Sequence, residues 1–264
     1  MANRVFAIRY AHNAETRASE NFYGFDIHDG SMPLDYFMWA VVGDDGSAVV
    51  VDAGISPETA VRRNHTLLCD PIDVLAALGV EAAAVRDVVL THLHYDHVGC
   101  VSAFPKAQFW LQDREMAFWT GRYAARGELG FVIEPDDVCA MVRLNYDRRL
   151  RFVDGEGQVT PAITLHHVGG HSPGLQVARI ETGSGPLVLA SDASHYYANV
   201  EQDRPFSIVN SLPDMYAAFD RLNELAGSSL DIIPGHDPLV MERYAPVSPD
   251  LEGYAVELVS GRQR

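Results

Sequence analysis

The chain has 264 residues, 47% hydrophobic and 21% charged, which excludes intrinsic disorder and suits one large domain. Its formal net charge of -16, from 36 acidic and 20 basic residues, argues against a nucleic-acid partner, because such binders need a basic footprint. Apolar runs such as residues 36–42 fall far short of the ~18 residues a membrane span needs. The N-terminus carries no apolar run fit for secretion, and Cys69, Cys100 and Cys139 are too few and too scattered for a disulfide framework. A soluble, cytoplasmic protein is expected, with reduced thiols and no membrane partner.

A first strand is expected over residues 5–8, followed by a polar loop over 13–34 that carries Phe22, Tyr23, Gly24 and Phe25. Residues 36–42 and 48–52 read as a hairpin around Asp45-Gly46, since Asp-Gly between apolar runs is a strong turn signal. Helical patterns follow at 57–65 and 73–78, the second ending at Gly79. Residues 87–90 are short and apolar, which is the mark of a buried strand. A strand over 108–111 and a helix over 113–119 come next, then a less regular, partly helical stretch over 123–151. Strands are expected at 163–166, 175–180 and 187–190. The apolar spacing of Met215, Phe219, Leu222 and Leu225 predicts a helix over 214–225. Ile232-Ile233 closes on the turn Pro234-Gly235-His236. No repeat, low-complexity tract or linker interrupts the chain, so a single α/β domain over 1–264 is expected.

Histidine is the unusual residue. Eight of the 11 fall between His92 and His236 inclusive. The run Thr91-His92-Leu93-His94-Tyr95-Asp96-His97-Val98-Gly99 places three imidazoles and a carboxylate within six residues, directly after an expected strand. Imidazole suits zinc and its neighbours, and a carboxylate joins readily. His92 and His94 can share one ion from an extended turn, while Asp96 and His97 on the next bend can face another. His171 in a glycine-rich turn, Asp192 after the strand at 187–190, and His236 after the last strand can gather at the same sheet edge.

Together with Gly169-Gly170-His171-Ser172-Pro173-Gly174, Ser191-Asp192-Ala193 and Pro234-Gly235-His236-Asp237, this run resembles the metallo-β-lactamase superfamily. Within it, the chain is most similar to the N-acyl homoserine lactonase branch. The resemblance implies a four-layer αββα sandwich with metals at one edge. It implies that His92, His94 and His171 hold one zinc ion, that Asp96, His97 and His236 hold a second, and that Asp192 bridges them. Iron, manganese or cobalt fit the same ligand types. Two divalent ions, two carboxylates and a bridging hydroxide would leave a positive site that favours charge developing on a substrate oxygen. The implied reaction is the opening of a small-molecule lactone by that hydroxide, with Asp96 carrying a proton to the leaving alkoxide.

One position departs from the branch. A tyrosine usually stands three residues after the bridging aspartate and contacts the substrate carbonyl. Here the position is His195, followed by Tyr196 and Tyr197, so either His195 polarises the carbonyl or one of the tyrosines reaches in. Asp52 is expected to orient a ligand histidine. His166, His167 and Cys100 read as structural. Phe118, Trp119, Tyr123, Phe131 and Tyr146 are candidates for a pocket lining, with core packing the plainer reading. A glyoxalase II-like thioesterase, a β-lactam or cyclic amide hydrolase and an iron-binding redox or sensing protein are the alternatives. A homodimer is compatible with the sequence.

Overall fold

The computed structural model describes residues 3–24 and 29–261; the expected loop position Phe25 lies outside them. Strands β1 (Arg4–Asn13), β2 (Leu34–Val42), β3 (Ala48–Val51), β4 (Thr66–Leu67), β5 (Asp87–Val89), β6 (Gln108–Gln112) and β7 (Leu150–Val153) belong to a first sheet. Strands β8 (Glu156–Thr160), β9 (Ile163–His167), β10 (Gln176–Thr182), β11 (Gly185–Ser191) and β12 (Ile232–Pro234) form a second. Strands β13 (Ala245–Pro246) and β14 (Ala255–Leu258) return to the first sheet, whose order is β13-β14-β1-β2-β3-β5-β6-β7, with β4 on β1.

The period-2 alternation of side chains decides the layers. In β2, Phe37, Trp39 and Val41 point to one face and pack with Ile163, Leu165, Leu187, Leu189 and Ile233 of the second sheet. Tyr36, Met38 and Ala40 point to the opposite face. There Val74 and Leu75 of helix Pro71–Ala77 and Met141 of helix Pro135–Tyr146 cover them. Helix Leu212–Leu225 covers the far face of the second sheet through Ala218, Leu222 and Leu225. The result is the expected αββα sandwich.

Helix starts follow local chemistry. Asp70 accepts from the Ile72 amide at 2.8 Å, and Ser56 accepts from the Thr59 amide at 3.2 Å, each just before a proline. Gly79, at φ +84°, turns the chain out of helix Pro71–Ala77 as expected.

Several elements lie beyond the expected set. β1 runs on to Asn13 through a bulge between Arg9 and Ala11, which breaks the alternation that would have announced it. β7 follows the helix Pro135–Tyr146 and straddles the end of the stretch over 123–151 read as partly helical. β8 is a polar edge strand held by its ladder to β9, and its side chains are at most half-buried. β14 pairs with β1 across about 250 residues, with Val5 opposite Leu258. Short helices Tyr197–Glu201 and Leu239–Arg243 complete the chain. No helix among the described residues is long and apolar enough to cross a membrane.

The strand ends position the site. β3, β5, β6 and β7 run parallel, and so do β11 and β12. Asp52, His92, Asp192 and His236 follow the C-terminal ends of β3, β5, β11 and β12. Asp96 and His97 sit on the single-turn helix Tyr95–Val98, which docks through Gly99 N–H to Gly54 O at 2.7 Å and Ala53 N–H to His97 O at 2.7 Å. A Cβ on Gly99 would stand 2.2 Å from Ser56 N and 2.7 Å from Ile55 C. These are backbone atoms and cannot rotate aside. Gly99→Ala is therefore expected to lose ~1–3 kcal/mol, the usual cost of overpacking, as read by urea denaturation; unchanged stability would mean that the 53–56 turn yields freely.

Candidate metal centre

The structure brings all eight predicted site residues together, each less than a tenth exposed. Ligand atoms of His92, His94, His171 and Asp192 lie within 4.8 Å of one another, as do those of Asp96, His97 and His236, and those of Asp192, His195 and His236. Asp192 stands between the two sets. Its Oδ2 lies 3.1 Å from His171 Nε2 and 3.7 Å from His92 Nε2. Its Oδ1 lies 3.1 Å from His236 Nε2 and 3.3 Å from His97 Nε2.

Four of the imidazoles, those of His92, His97, His171 and His236, are aimed by their other nitrogen. His97 Nδ1–H donates to Asp52 Oδ2 at 2.7 Å, His171 Nδ1–H to Ile208 O at 2.9 Å, and His236 Nδ1–H to Asp35 O at 2.9 Å. His92 Nδ1 meets Thr91 Oγ1 at 3.1 Å, and that hydroxyl donates to Asp52 Oδ2 at 2.9 Å. These bonds select the tautomer that turns a bare Nε2 lone pair toward the cluster, which is how ligand histidines are prepared. Asp52 thus takes the orienting part expected of it. It does so from a left-handed backbone, φ 61°, as does Ser191 at φ 46°. Both conformations strain a non-glycine residue at a strand end.

The cluster fits metal ions and little else. His92 Nε2 and His97 Nε2 are buried without a hydrogen-bond partner, a costly arrangement unless a cation accepts their lone pairs. His94 Nδ1 and His171 Nε2 face each other at 2.9 Å. Burial, reinforced by the neighbouring His97 and His94, holds the His92 imidazole well below its ordinary range, and burial with His171 does the same to His94. Both rings are therefore neutral and able to ligate. Burial opposes charge on Asp192 too, but His195, His236, His97 and His171 outweigh it and keep the carboxyl well below its usual range. For His97, burial is outweighed by Asp96, Asp192 and Asp52, which raise its proton affinity.

The match to the metallo-beta-lactamase superfamily model spans residues 33–241, and so includes every one of these residues. The chain belongs to the metallo-beta-lactamase superfamily. Two curated members are similar over most of its length. An N-acyl homoserine lactonase of Bacillus sp is 29% identical over 235 residues, covering 82% of this chain and 87% of its own. N-acyl homoserine lactonase AiiA of Bacillus thuringiensis subsp. kurstaki is 30% identical over 220 residues, covering 76% and 81%. A solved N-acyl homoserine lactone hydrolase, with the product N-hexanoyl-L-homoserine at its catalytic metal centre, superposes with a TM-score of 0.71 at 21% identity. It covers 90% of this chain and 94% of its own.

In this superfamily member, the loop after Asp192 separates the three candidate side chains. His195 faces the cluster, with Nε2 3.1 Å from Asp192 Oδ2 and its ring stacked on Phe206 at 3.6 Å. Burial pushes its pKa down to about 3 against the pull of Asp192, so the ring is neutral and Nε2–H donates. The Tyr196 hydroxyl instead meets Asn21 Nδ2 at 2.7 Å and donates toward Met32 O at 3.1 Å. The Tyr197 ring lies under the Arg243 guanidinium at 3.7 Å, in the core between the sheets. Neither tyrosine lines the cavity over the ligands, whereas His195 does.

Two cavities meet the cluster. One of about 50 Å³ is lined by Asp96, Asp192, His195 and His236 together with Tyr36 and Tyr95. One of about 380 Å³ opens beside His94 and His171, walled by Trp119, Leu129, Phe131 and Ile208. Of the aromatic candidates, Trp119 and Phe131 therefore line a pocket and Phe118 packs against the core. Tyr123 and Tyr146 are exposed and do neither. Cys100 Sγ–H donates to Ile55 O at 3.3 Å and lies outside the cluster. His166 lies beside Glu156 and Thr164, and His167 meets Pro173 O at 2.9 Å.

Glu115 was not among the expected residues. It is fully buried and accepts from Leu93 N–H at 3.0 Å, Trp119 Nε1–H at 2.6 Å, Ser172 Oγ–H at 2.7 Å and Gly174 N–H at 2.8 Å. It therefore ties the His92–His97 loop to the glycine-rich loop of His171. A Cβ on Gly174 would stand 2.3 Å from Glu115 N, so only glycine lets the two segments meet. In the sequence Glu115 is one of two acids in the first turn of the helix Asp113–Trp119.

Proposed function

We propose that the chain is a dinuclear zinc hydrolase that opens a lactone, either an N-acyl homoserine lactone or a related cyclic ester. The observation that carries this reading is a buried cluster of seven His and Asp side chains able to hold metal, drawn from both sheets and opening on a cavity that Trp119, Leu129, Phe131 and Ile208 share with Glu128, Ser207 and Asn210. Among the described residues, neither cavity at the cluster is lined by Lys or Arg, which suits a neutral substrate better than a phosphoester or a glutathione thioester. The lactonase relatives point the same way.

In this reading His92, His94 and His171 hold one ion, Asp96, His97 and His236 the other, and Asp192 both. A bound pair of divalent ions supplies Lewis acidity and a water acidic enough to attack near neutral pH. The protein supplies the rest. His195 Nε2–H stands beside Asp192, where it can donate to the substrate carbonyl as charge builds there. Asp96 Oδ2, 3.5 Å from His97 Nε2 and 3.7 Å from His236 Nε2, is placed to carry a proton to the leaving oxygen. Both sheets contribute candidate ligands, which supports reading the chain as one catalytic domain. Three free cysteines fit a reducing, cytoplasmic setting.

Proton release from a panel of lactones, thioesters, β-lactams and phosphoesters tests this reading. Lactones are expected to rank first, with near-stoichiometric zinc by mass spectrometry. Thioester turnover above every lactone would move the assignment to a glyoxalase-like enzyme. Stoichiometric iron without hydrolysis would make the protein a redox or sensing member.

A further inference from the structure

His236 follows β12 in the second sheet, yet a residue of the first sheet grips it at two points. Asp35 N–H donates to His236 O at 2.9 Å, and His236 Nδ1–H donates to Asp35 O at 2.9 Å. Both backbone groups of Asp35 can serve this way because β3 pairs with β2 only from Trp39 to Val42. Near its start β2 has β1 on one side, with His12 opposite Asp35, and meets His236 on the other.

The Asp35 side chain is fully buried but does not join the ligand groups. Its Oδ1 meets His12 Nδ1 at 2.6 Å, and its Oδ2 accepts from Arg9 Nη1 at 3.1 Å. Arg9 is pinned in turn to the segment before β14. Its Nε–H donates to Gly253 O at 2.9 Å and its backbone N–H to Tyr254 O at 2.8 Å. Burying a carboxylate is costly, and a buried ion pair is often no more stabilising than apolar residues of similar volume. The best-attested use of such a group is to fix one arrangement of the chain. Here the arrangement it fixes is the strand start that grips His236.

We propose that Asp35 is a positioning residue for His236, with Arg9 and His12 locking its carboxylate so that the start of β2 holds the ligand ring in place. This role rests on the ligand assignment above and adds an asymmetry to it. The ion assigned to Asp96, His97 and His236 depends on the lock, whereas the ion assigned to His92, His94 and His171 does not. His92 and His171 have supports of their own in Thr91 Oγ1 and Ile208 O.

The test is a zinc titration in competition with a chelator of known affinity, on wild type, Asp35→Leu, Asp35→Asn, Arg9→Met and His236→Ala. In Asp35→Leu one ion should bind about 10- to 100-fold more weakly, the usual effect of losing a partner behind a ligand, while the other holds. Arg9→Met, which frees the carboxylate on one side, should weaken the same ion. Asp35→Asn keeps an oxygen for Arg9 and should lose less. Adding Asp35→Leu to His236→Ala should weaken zinc no further than His236→Ala alone, because a residue that acts through another is not additive with it. Thermal melts of the zinc-free proteins identify the folded variants. Should Asp35→Leu fail to fold, Asp35→Asn and Arg9→Met carry the comparison. Unchanged affinity for both ions in folded variants, equal loosening of both, or full additivity with His236→Ala would overturn the proposal. Wild type that binds fewer than two ions would instead remove the ligand assignment, and the anchor with it.

Discussion

Replacing Asp192 with alanine is expected to strip both metal ions and abolish turnover. The two carboxylate oxygens divide the cluster between them. Oδ2 serves the side of His92 and His171, and Oδ1 the side of His97 and His236. Removing one side chain therefore opens both coordination shells at once, and it leaves the imidazoles crowded together without the anion that lies between the two sets. Loss of a partner outside the ligand set typically costs 10–100-fold in metal affinity or activity, and the loss at Asp192 should exceed that range. Metal per chain, measured by mass spectrometry after gel filtration, should drop from two ions toward none. Cys100→Ala and His167→Ala provide the contrast. The Cys100 thiol donates only to a backbone carbonyl, and His167 meets the carbonyl of Pro173 at the rim of the glycine-rich loop. Both variants should retain metal. Two ions bound to the Asp192→Ala protein would overturn the ligand assignment.

Residues whose partners are close in the chain were the legible ones. Thr91 to Gly99 carries four side chains of the cluster within one turn after a strand, so their spacing alone brings them to one place. His171, Asp192 and His236 were legible because each follows an apolar run, and the ends of such runs meet where strands share an edge. The strand over 36–42 and the helix over 214–225 were legible as an apolar run and as helical spacing, whereas the four layers were implied by the resemblance to the superfamily. What stayed hidden depends on partners far along the chain. β14 is four residues that become a strand because β1 offers them a free edge. Glu115 looks like any acid in the first turn of a helix until Gly174 arrives from 59 residues away to donate to it. Asp35 reads as a polar residue ahead of an apolar run, and only the fold sets its backbone against His236. Function at such positions is written in tertiary neighbours, which local periodicity does not record.

His195 shows the same point from the other direction, because the sequence left three candidates and the fold separates them. Its ring is clamped flat against Phe206 at 6° and lies 5.1 Å from His236, so it has little freedom to leave the cluster. Its Nε2–H faces Asp192, while Nδ1 is buried with no partner. A donor held this way acts most strongly as charge grows on the substrate oxygen, and removing one such donor typically costs ~10²–10³ in turnover, or roughly 3–4 kcal/mol. His195→Ala is therefore expected to keep the fold and both metals and to lose kcat, with KM changed much less. Tyr196→Phe removes a hydroxyl that faces Asn21 and Met32, and Tyr197→Phe removes one buried between the sheets. Both should leave kcat within a few-fold of wild type. Steady-state kinetics on metal-quantified proteins read all three variants. A large kcat loss in either tyrosine variant, with His195→Ala nearly silent, would hand the carbonyl to that tyrosine. Three silent variants would mean that the metal cluster polarises the carbonyl without help from this loop.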